Sequence, residues 1–200
     1  MIKNLLFDLG GVIMDIDRMR AVRALEALGM ADADKVLGEY AQQGPFGAIE
    51  SGEIDSDEFH RRMAELIPGH VEDDEIDRAF VRFLIGIPAH RLESLRALRR
   101  RYGIYMLSNT NPIMWETEIK RQFRQEGLEI GDYFDGIVTS FEAKCMKPSP
   151  EIFEYTRRML GIKPAETLFL DDSETNCEAA RALGWNAVRV VPGTEFIELI

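Results

Sequence analysis

The chain has 200 residues, 46% hydrophobic and 30% charged, a composition that is ordinary for a globular protein and excludes disorder or a fibrous repeat. Its formal net charge of −11 disfavours non-specific binding to nucleic acids, because an acidic surface repels phosphates. No apolar run approaches the roughly 20 residues of a membrane-spanning helix, and Asp8 interrupts the first apolar run too early for a secretory signal. We therefore expect a cytoplasmic protein that binds neither nucleic acids nor membranes.

Short apolar segments rich in β-branched and aromatic residues recur along the chain and predict buried strands. Helical patterns separate most of them, such as Leu92, Leu95 and Leu98 ahead of Gly103. This alternation is typical of an α/β fold with a Rossmann-like, doubly wound parallel sheet. The predicted strands are residues 4–7, 104–107, 137–139, 167–170 and 187–191.

Residues 17–87 interrupt this alternation, because the patterns there are helical. Val22, Leu25 and Leu28 share one helical spacing, and a second pattern runs from Ile76 to Ile87. We expect a small, all-helical cap at residues 17–87, inserted into an α/β core domain made of residues 1–16 and 88–200.

Polar residues follow several predicted strands at the point where each strand ends. Asp8 follows the first strand, Ser108 and Asn109 follow the second, and Asp171 and Asp172 follow a later one. An isolated Asp at such a place is more often a turn residue than a catalytic one. Because strand ends in a parallel sheet meet at one edge, however, their recurrence predicts a common site there. Lys147, just ahead of a predicted helix, adds an ammonium group to the set.

Four segments, in this order, resemble the motifs of the haloacid dehalogenase superfamily of aspartyl-nucleophile hydrolases. They are FDLGGVIMD, LSNT, KPSPEIF and FLDDSETN. Each is weak alone, but all four in order, with a helical insertion after the first, are specific, and the resemblance covers the whole chain. The first segment, together with SGEIDSDEF in the insertion, is most similar to the small phosphatases that include bacterial α-glucose-1-phosphate phosphatase.

The resemblance implies a role for each motif residue. Asp8 would attack phosphorus to form an aspartyl-phosphate, with Lys147 as its catalytic cation. Asp8, the backbone carbonyl of Gly10 and Asp172 would hold Mg²⁺, an ion that prefers oxygen ligands.

The same resemblance implies residues that bind substrate and residues that support the site. Ser108, Asn109 and Gly10 would contact the transferring phosphoryl group. Asp171 would support the metal site, and Asn176 would orient its loop by a hydrogen bond, although a simple helix-surface position is nearly as good an interpretation.

Gly10 departs from the pattern, because phosphatases of this superfamily usually carry a second Asp there as the acid for the leaving oxygen. Such assistance is typically worth ~10²–10⁴-fold in rate. One hypothesis is a substrate with an activated leaving group, such as an anomeric sugar phosphate. The other is that the cap supplies the acid, where Glu50, Glu53, Phe46 and His60 lie in or near turns that can face the sheet.

Three functions remain open at this point. The first is a Mg²⁺-dependent phosphatase for a small phosphorylated metabolite, most simply a sugar phosphate. The second is a dehalogenase that uses Asp8 against carbon, which the paired acids Asp171 and Asp172 disfavour. The third is a phosphate-binding or regulatory module that lost turnover when Gly10 replaced the second Asp. We expect a monomer or a weak homodimer.

Overall fold

The computed structural model describes residues 1–38 and 42–200. The strands are β1 (Asn4–Phe7), β2 (Asp15–Ile16), β3 (Leu84–Gly86), β4 (Gly103–Ser108), β5 (Gly136–Thr139), β6 (Thr167–Asp171) and β7 (Asn186–Arg189). The helices are α1 (Arg18–Ala27), α2 (Ala33–Val36), α3 (Gly44–Glu50), α4 (Ser56–Leu66), α5 (Asp73–Val81), α6 (Ala89–Leu98), α7 (Pro112–Met114), α8 (Lys120–Phe123), α9 (Ile130–Tyr133), α10 (Ser140–Ala143), α11 (Pro150–Leu160) and α12 (Glu174–Ala182). A π-helical turn, Trp115–Ile119, joins α7 to α8, and 3₁₀ turns lie at Arg124–Glu126, Pro164–Glu166 and Phe196–Leu199.

In the described part of the chain, β1, β4, β5, β6 and β7 form a parallel sheet in the order β5-β4-β1-β6-β7. The strand order reverses at β1, because the next strands along the chain lie on one side of it (β4, β5) and the last ones on the other (β6, β7). In such a sheet, ligands bind outside the carboxyl ends of the strands, at the point where the order reverses. The predicted α/β, doubly wound parallel sheet is confirmed.

Side chains of β1 alternate between the two faces of the sheet. Leu5 and Phe7 pack into one apolar cluster, and Leu6 packs into the other with Phe153 and Phe169. Helices cover both clusters, so β1 is buried on each face. The residue that follows β1 is therefore held by a rigid, fully packed strand.

Helices α1 to α5 lie between β2 and β3, which pair antiparallel. The expected helical pattern from Ile76 to Ile87 is wrong beyond Val81, where α5 ends. The apolar spacing continues through Phe83, but the backbone hydrogen bond from Asp17 to the Phe83 carbonyl draws this segment into a strand. The cap and core boundaries stay a prediction, and residues 39–41 of the predicted cap lie outside the described residues.

Arg91 of α6 connects three distant parts of the chain. Its guanidinium donates to Asp15 Oδ1 at 2.7 Å and to the Ile13 carbonyl, and it forms two hydrogen bonds of 2.8 and 2.9 Å with Glu195. Its side chain is 12% exposed. Arg91 thereby fixes the segment that leads from β1 into the helical insertion.

No helix among the described residues combines the length and apolar character needed to cross a bilayer.

Candidate active site

The centre of the site is a lysine shared by two carboxylates. Lys147 Nζ lies 2.7 Å from Asp8 Oδ1 and 2.7 Å from Asp171 Oδ2, and all three residues are buried. Asp8 follows β1, and its backbone N–H donates to the Leu170 carbonyl of β6. Hydrogen bonds between ionised groups are short and roughly twice as strong as neutral ones, so this geometry fixes the Asp8 carboxylate.

Asp171 is occupied by the protein itself. Its Oδ1 accepts from the backbone N–H of Ser173 at 2.9 Å and from Asn176 Nδ2 at 3.0 Å, while its Oδ2 binds Lys147. Asn176 therefore makes the contact expected of a residue that orients this loop. Asp171 orients Lys147 and leaves Asp8 and Asp172 as the two carboxylates of this cluster that line the cavity.

Asp172 reaches the site because residue 11 has no side chain. A Cβ on Gly11 would lie 2.4 Å from Asp172 Oδ2, and its φ of +73° is one that glycine adopts without strain. Arg189 holds the same loop by donating to the Asp172 carbonyl at 2.8 Å. The carboxylate oxygens of Asp8, Asp171 and Asp172 then lie within 4.8 Å of one another.

The amide of Asn109 is paired with the backbone of Lys147. Its Nδ2 donates to the Lys147 carbonyl and its Oδ1 accepts from the Lys147 N–H, both at 2.9 Å. This pair sets the position of the lysine. Ser108, Asn109 and Gly10 line the same cavity as Asp8, so the residues expected to contact substrate are brought together, although the Asn109 side chain also serves the loop.

Burial is the main cause of the altered acidities. It raises the pKa of Asp8 to about 7, with Lys147 opposing the rise and Asp171 adding to it. Burial, followed by the charge of Asp171, raises the pKa of Asp172 to about 6. Burial alone would lower the pKa of Lys147, but the charges of Asp171 and Asp8 raise it above its ordinary value.

Three carboxylates cluster around one ammonium group, so the cluster has an excess of formal negative charge. A hard divalent cation with oxygen ligands would balance it, and Mg²⁺ is commonly bound through one or two carboxylates plus phosphate oxygens. With Asp171 engaged elsewhere, the carboxylates left to bind a cation are Asp8 and Asp172, and Gly10 lines the same cavity. The residues present therefore fit Mg²⁺.

One cavity joins this cluster to the helical insertion. Asp8, Gly10, Lys147 and Asp172 line its floor, and Glu50 from the end of α3 lines it from the insertion. Gln42 and Thr110 are among the polar residues of the wall, and the rest of it is apolar: Leu9, Ile16, Leu37, Phe80, Phe83, Leu84, Met114 and Ile119.

His60 does not reach this cavity. Its Nε2 lies 2.7 Å from Asp77 Oδ1, so it pairs within the insertion, as a satisfied structural histidine does. Asp17 caps α1 by accepting from the Met19 N–H at 2.9 Å.

The comparisons with known proteins agree with this geometry. The haloacid dehalogenase-like hydrolase family matches residues 2–184. A D-ribitol-5-phosphate phosphatase of Bacteroides thetaiotaomicron is 37% identical over 98% of this chain and 95% of its own length.

Solved structures give the same result. A HAD family enzyme from Bacteroides thetaiotaomicron, in complex with magnesium and inorganic phosphate, matches with a TM-score of 0.93 and 38% identity over 100% of both chains. A HAD-like family hydrolase from Porphyromonas gingivalis matches with a TM-score of 0.92 and 31% identity, over 100% of this chain and 96% of its own.

The chain belongs to the haloacid dehalogenase-like hydrolase family, as its four motifs predicted. It is an enzyme of the hydrolase class, and the predicted phosphatase activity and Mg²⁺ agree with the names that these relatives carry.

Proposed function

We propose that this protein is a Mg²⁺-dependent phosphatase that hydrolyses a small sugar or sugar-alcohol phosphate through an aspartyl-phosphate on Asp8. The observation that carries the proposal is the position of the Asp8 carboxylate. It lies at the end of the central strand, 2.7 Å from a buried lysine and within 4.8 Å of two further carboxylates, on the floor of a cavity.

Each residue of the cluster has a task in this reaction. An Asp8 oxygen attacks phosphorus while Lys147 offsets the negative charge that gathers on the phosphoryl oxygens. Asp171 holds Lys147 in place, and the Ser108 hydroxyl donates to the phosphoryl group. Bound by Asp8, Asp172 and the Gly10 carbonyl, Mg²⁺ would supply further positive charge to the same oxygens.

The substrate class rests on the relative named for D-ribitol 5-phosphate, which is similar over nearly the whole chain. A cavity with a charged floor and a mostly apolar wall suits a phosphate attached to a small carbon skeleton. The clustered carboxylates favour this reaction over dehalogenation, because a metal-binding acid pair serves a phosphate and not a departing halide.

The test is phosphate release with and without Mg²⁺ from ribitol 5-phosphate, glucose 1-phosphate, glucose 6-phosphate and p-nitrophenyl phosphate. We expect turnover that needs Mg²⁺ and that Asp8→Asn abolishes. Glucose 1-phosphate as the best substrate would favour the activated-leaving-group hypothesis for Gly10. Absence of turnover with every ester, in a folded protein, would contradict the proposal in favour of a phosphate-binding module.

A further inference from the structure

A phosphatase that ejects an alkoxide needs an acid near the leaving oxygen, and residue 10 carries no side chain to provide one. A Cβ built on Gly10 would contact the Ile16 side chain at 3.5 Å and no other group within 4 Å. At the position where phosphatases of this superfamily usually carry the acid, this chain therefore has no carboxyl group. The same cavity is also lined by a carboxyl group from the insertion, that of Glu50.

Glu50 is half-buried at the last position of α3 and faces the reaction cavity. Among the described residues, its side chain forms no hydrogen bond and no ion pair within the protein. Glu50 therefore has an unpaired carboxyl group on the wall of the cavity that contains Asp8.

The turn after Glu50 is fixed by the sheet side of the molecule. Lys144 Nζ donates to the Gly52 carbonyl at 2.6 Å. A Cβ on Gly52 would lie 2.2 Å from the Phe141 carbonyl oxygen, so this turn and α10 are in close contact. The turn that directly follows Glu50 is thus held by contacts with Phe141 of α10 and with Lys144 just after it.

Burial raises the pKa of Glu50 to about 8, so the carboxyl carries its proton over much of the neutral range. The other ionisable groups of the cavity are Asp8, Lys147 and Asp172. Helices α4, α5 and α10 pack near α3. Several ionisable side chains on these helices already have hydrogen-bond partners: Glu58 with Arg61 and Arg62, His60 with Asp77, Asp74 with Arg78, and Glu142 with Thr139.

We propose that Glu50 is the acid that protonates the leaving oxygen, acting from α3 in place of a side chain at residue 10. The inference rests on the proposed function. As the Asp8 oxygen bonds to phosphorus, the bond from phosphorus to the ester oxygen breaks, and the Glu50 proton passes to that oxygen to give an alcohol. The Glu50 carboxylate then takes a proton from water as that water attacks the aspartyl-phosphate, which releases phosphate and restores Asp8 and Glu50.

The experiment compares an ester that needs the proton with one that does not. Ribitol 5-phosphate leaves as an alkoxide, whereas p-nitrophenyl phosphate leaves as a stable phenolate. We expect Glu50→Gln to lower kcat/KM for ribitol 5-phosphate by ~10²–10⁴-fold and to change kcat/KM for p-nitrophenyl phosphate little. Glu53→Gln is the matched control, because Glu53 is exposed and lies outside this cavity; it is expected to leave both values unchanged.

Equal losses for the two esters would overturn the proposal, because they would indicate lost binding or folding. An unchanged value for ribitol 5-phosphate would overturn it as well. Glu50→Asp, which keeps an ionisable proton, is expected to retain more alkyl-ester activity than Glu50→Gln, and equal losses in the two variants would count against proton donation.

The proposed function is tested separately in the same assay. Wild-type protein that hydrolyses both esters, together with Asp8→Asn that hydrolyses neither, supports the phosphatase whatever Glu50 does. Wild-type protein that hydrolyses neither ester overturns the phosphatase and the role of Glu50 together.

Discussion

At the scale of single residues, the adjacent carboxylates Asp171 and Asp172 differ in how the protein binds them. Asp171 is bound on both oxygens by Lys147, Ser173 and Asn176, whereas Asp172 forms no ion pair among the described residues. Asp171 holds the site together, and Asp172 is available to a cation. Adjacent positions of one sequence motif therefore have different physical roles.

This difference predicts different responses to metal. A ligand that binds the folded state stabilises it by about 2.7 kcal/mol at 100 times its Kd, so Mg²⁺ is expected to raise the Tm of the wild-type protein. Asp172→Asn should abolish this rise. Asp171→Asn should lower the Tm itself, by the equivalent of about 1–3 kcal/mol, and keep the rise. Thermal melts over a Mg²⁺ series measure both, and equal Mg²⁺ responses in the two variants would contradict this division.

Glu50 predicts a pH dependence of stability. Its pKa is about 8 in the folded protein and near its ordinary 4.5 in the unfolded chain. Between pH 4.5 and pH 8, the folded protein therefore holds a proton on Glu50 that the unfolded chain has lost. The stability linked to this proton is complete below pH 4.5 and is lost as the pH rises through 8. Glu50→Gln removes the dependence.

We therefore expect Glu50→Gln to be more stable relative to wild type at pH 8.5 than at pH 5, by on the order of 1–3 kcal/mol. Urea unfolding at the two pH values measures this, with Glu53→Gln as the control. A difference between wild type and Glu50→Gln that is the same at both pH values would contradict the expectation.

At the scale of elements, the turn that follows α3 is in close contact with α10. Gly52 combines a φ of +67° with a backbone oxygen 2.2 Å from where a Cβ would lie. Gly69 has a φ of +94° but open space around it. Comparing the two glycines therefore separates the effect of backbone strain, which a side chain would meet at both, from the effect of a close contact, which exists only at Gly52.

Gly52→Ala is expected to destabilise the protein by about 1–3 kcal/mol and to lower kcat/KM, because the turn and Glu50 must move away from α10. Gly69→Ala is expected to show the strain alone, with unchanged kcat/KM. Melting curves and phosphatase assays on both variants give the comparison. A similar loss of kcat/KM in Gly69→Ala would mean that the contact with Phe141 is unimportant.

The elements also show what the sequence could predict. The five strands of the parallel sheet were predictable because each contains a short apolar run, and the polar residues that end several of them, such as Asp8 and Asp171, were predictable as well. Strands β2 and β3 were not, because two or three residues are too short for a pattern and Phe83 continues the helical spacing.

The site was predictable to the level of its residues but not of their contacts. Asn109 was expected to donate to phosphate, yet its amide is bound to the Lys147 backbone, which no local pattern indicates. Glu50 had a weak signal, a carboxyl just before the Ser51-Gly52 turn, but burial is what distinguishes it from Glu53. Arg91 had none, because its partners lie 76 and 104 residues away.

At the scale of the whole molecule, Arg91 links the segment after β1, the start of α6 and the region of Glu195. Arg91→Ala is expected to cost about 2–4 kcal/mol, because several largely buried, charge-assisted hydrogen bonds are lost at once. Arg61→Ala is the control, since Arg61 pairs within α4 on an exposed face, where such pairs contribute little. Chemical denaturation measures both, and equal losses would contradict the role of Arg91.

The central place of β1 has a consequence for how the chain acquires activity. β1 precedes both of its neighbours in the chain, and Asn4 pairs with Gly103 on one side and Thr167 on the other. During synthesis β1, which ends at the proposed nucleophile, leaves the ribosome before both of its partner strands and stays unpaired until they have followed. Contacts of such long sequence separation slow folding, so we expect the unpaired β1 strand to be open to misassembly and to chaperone capture until β4 and β6 are made.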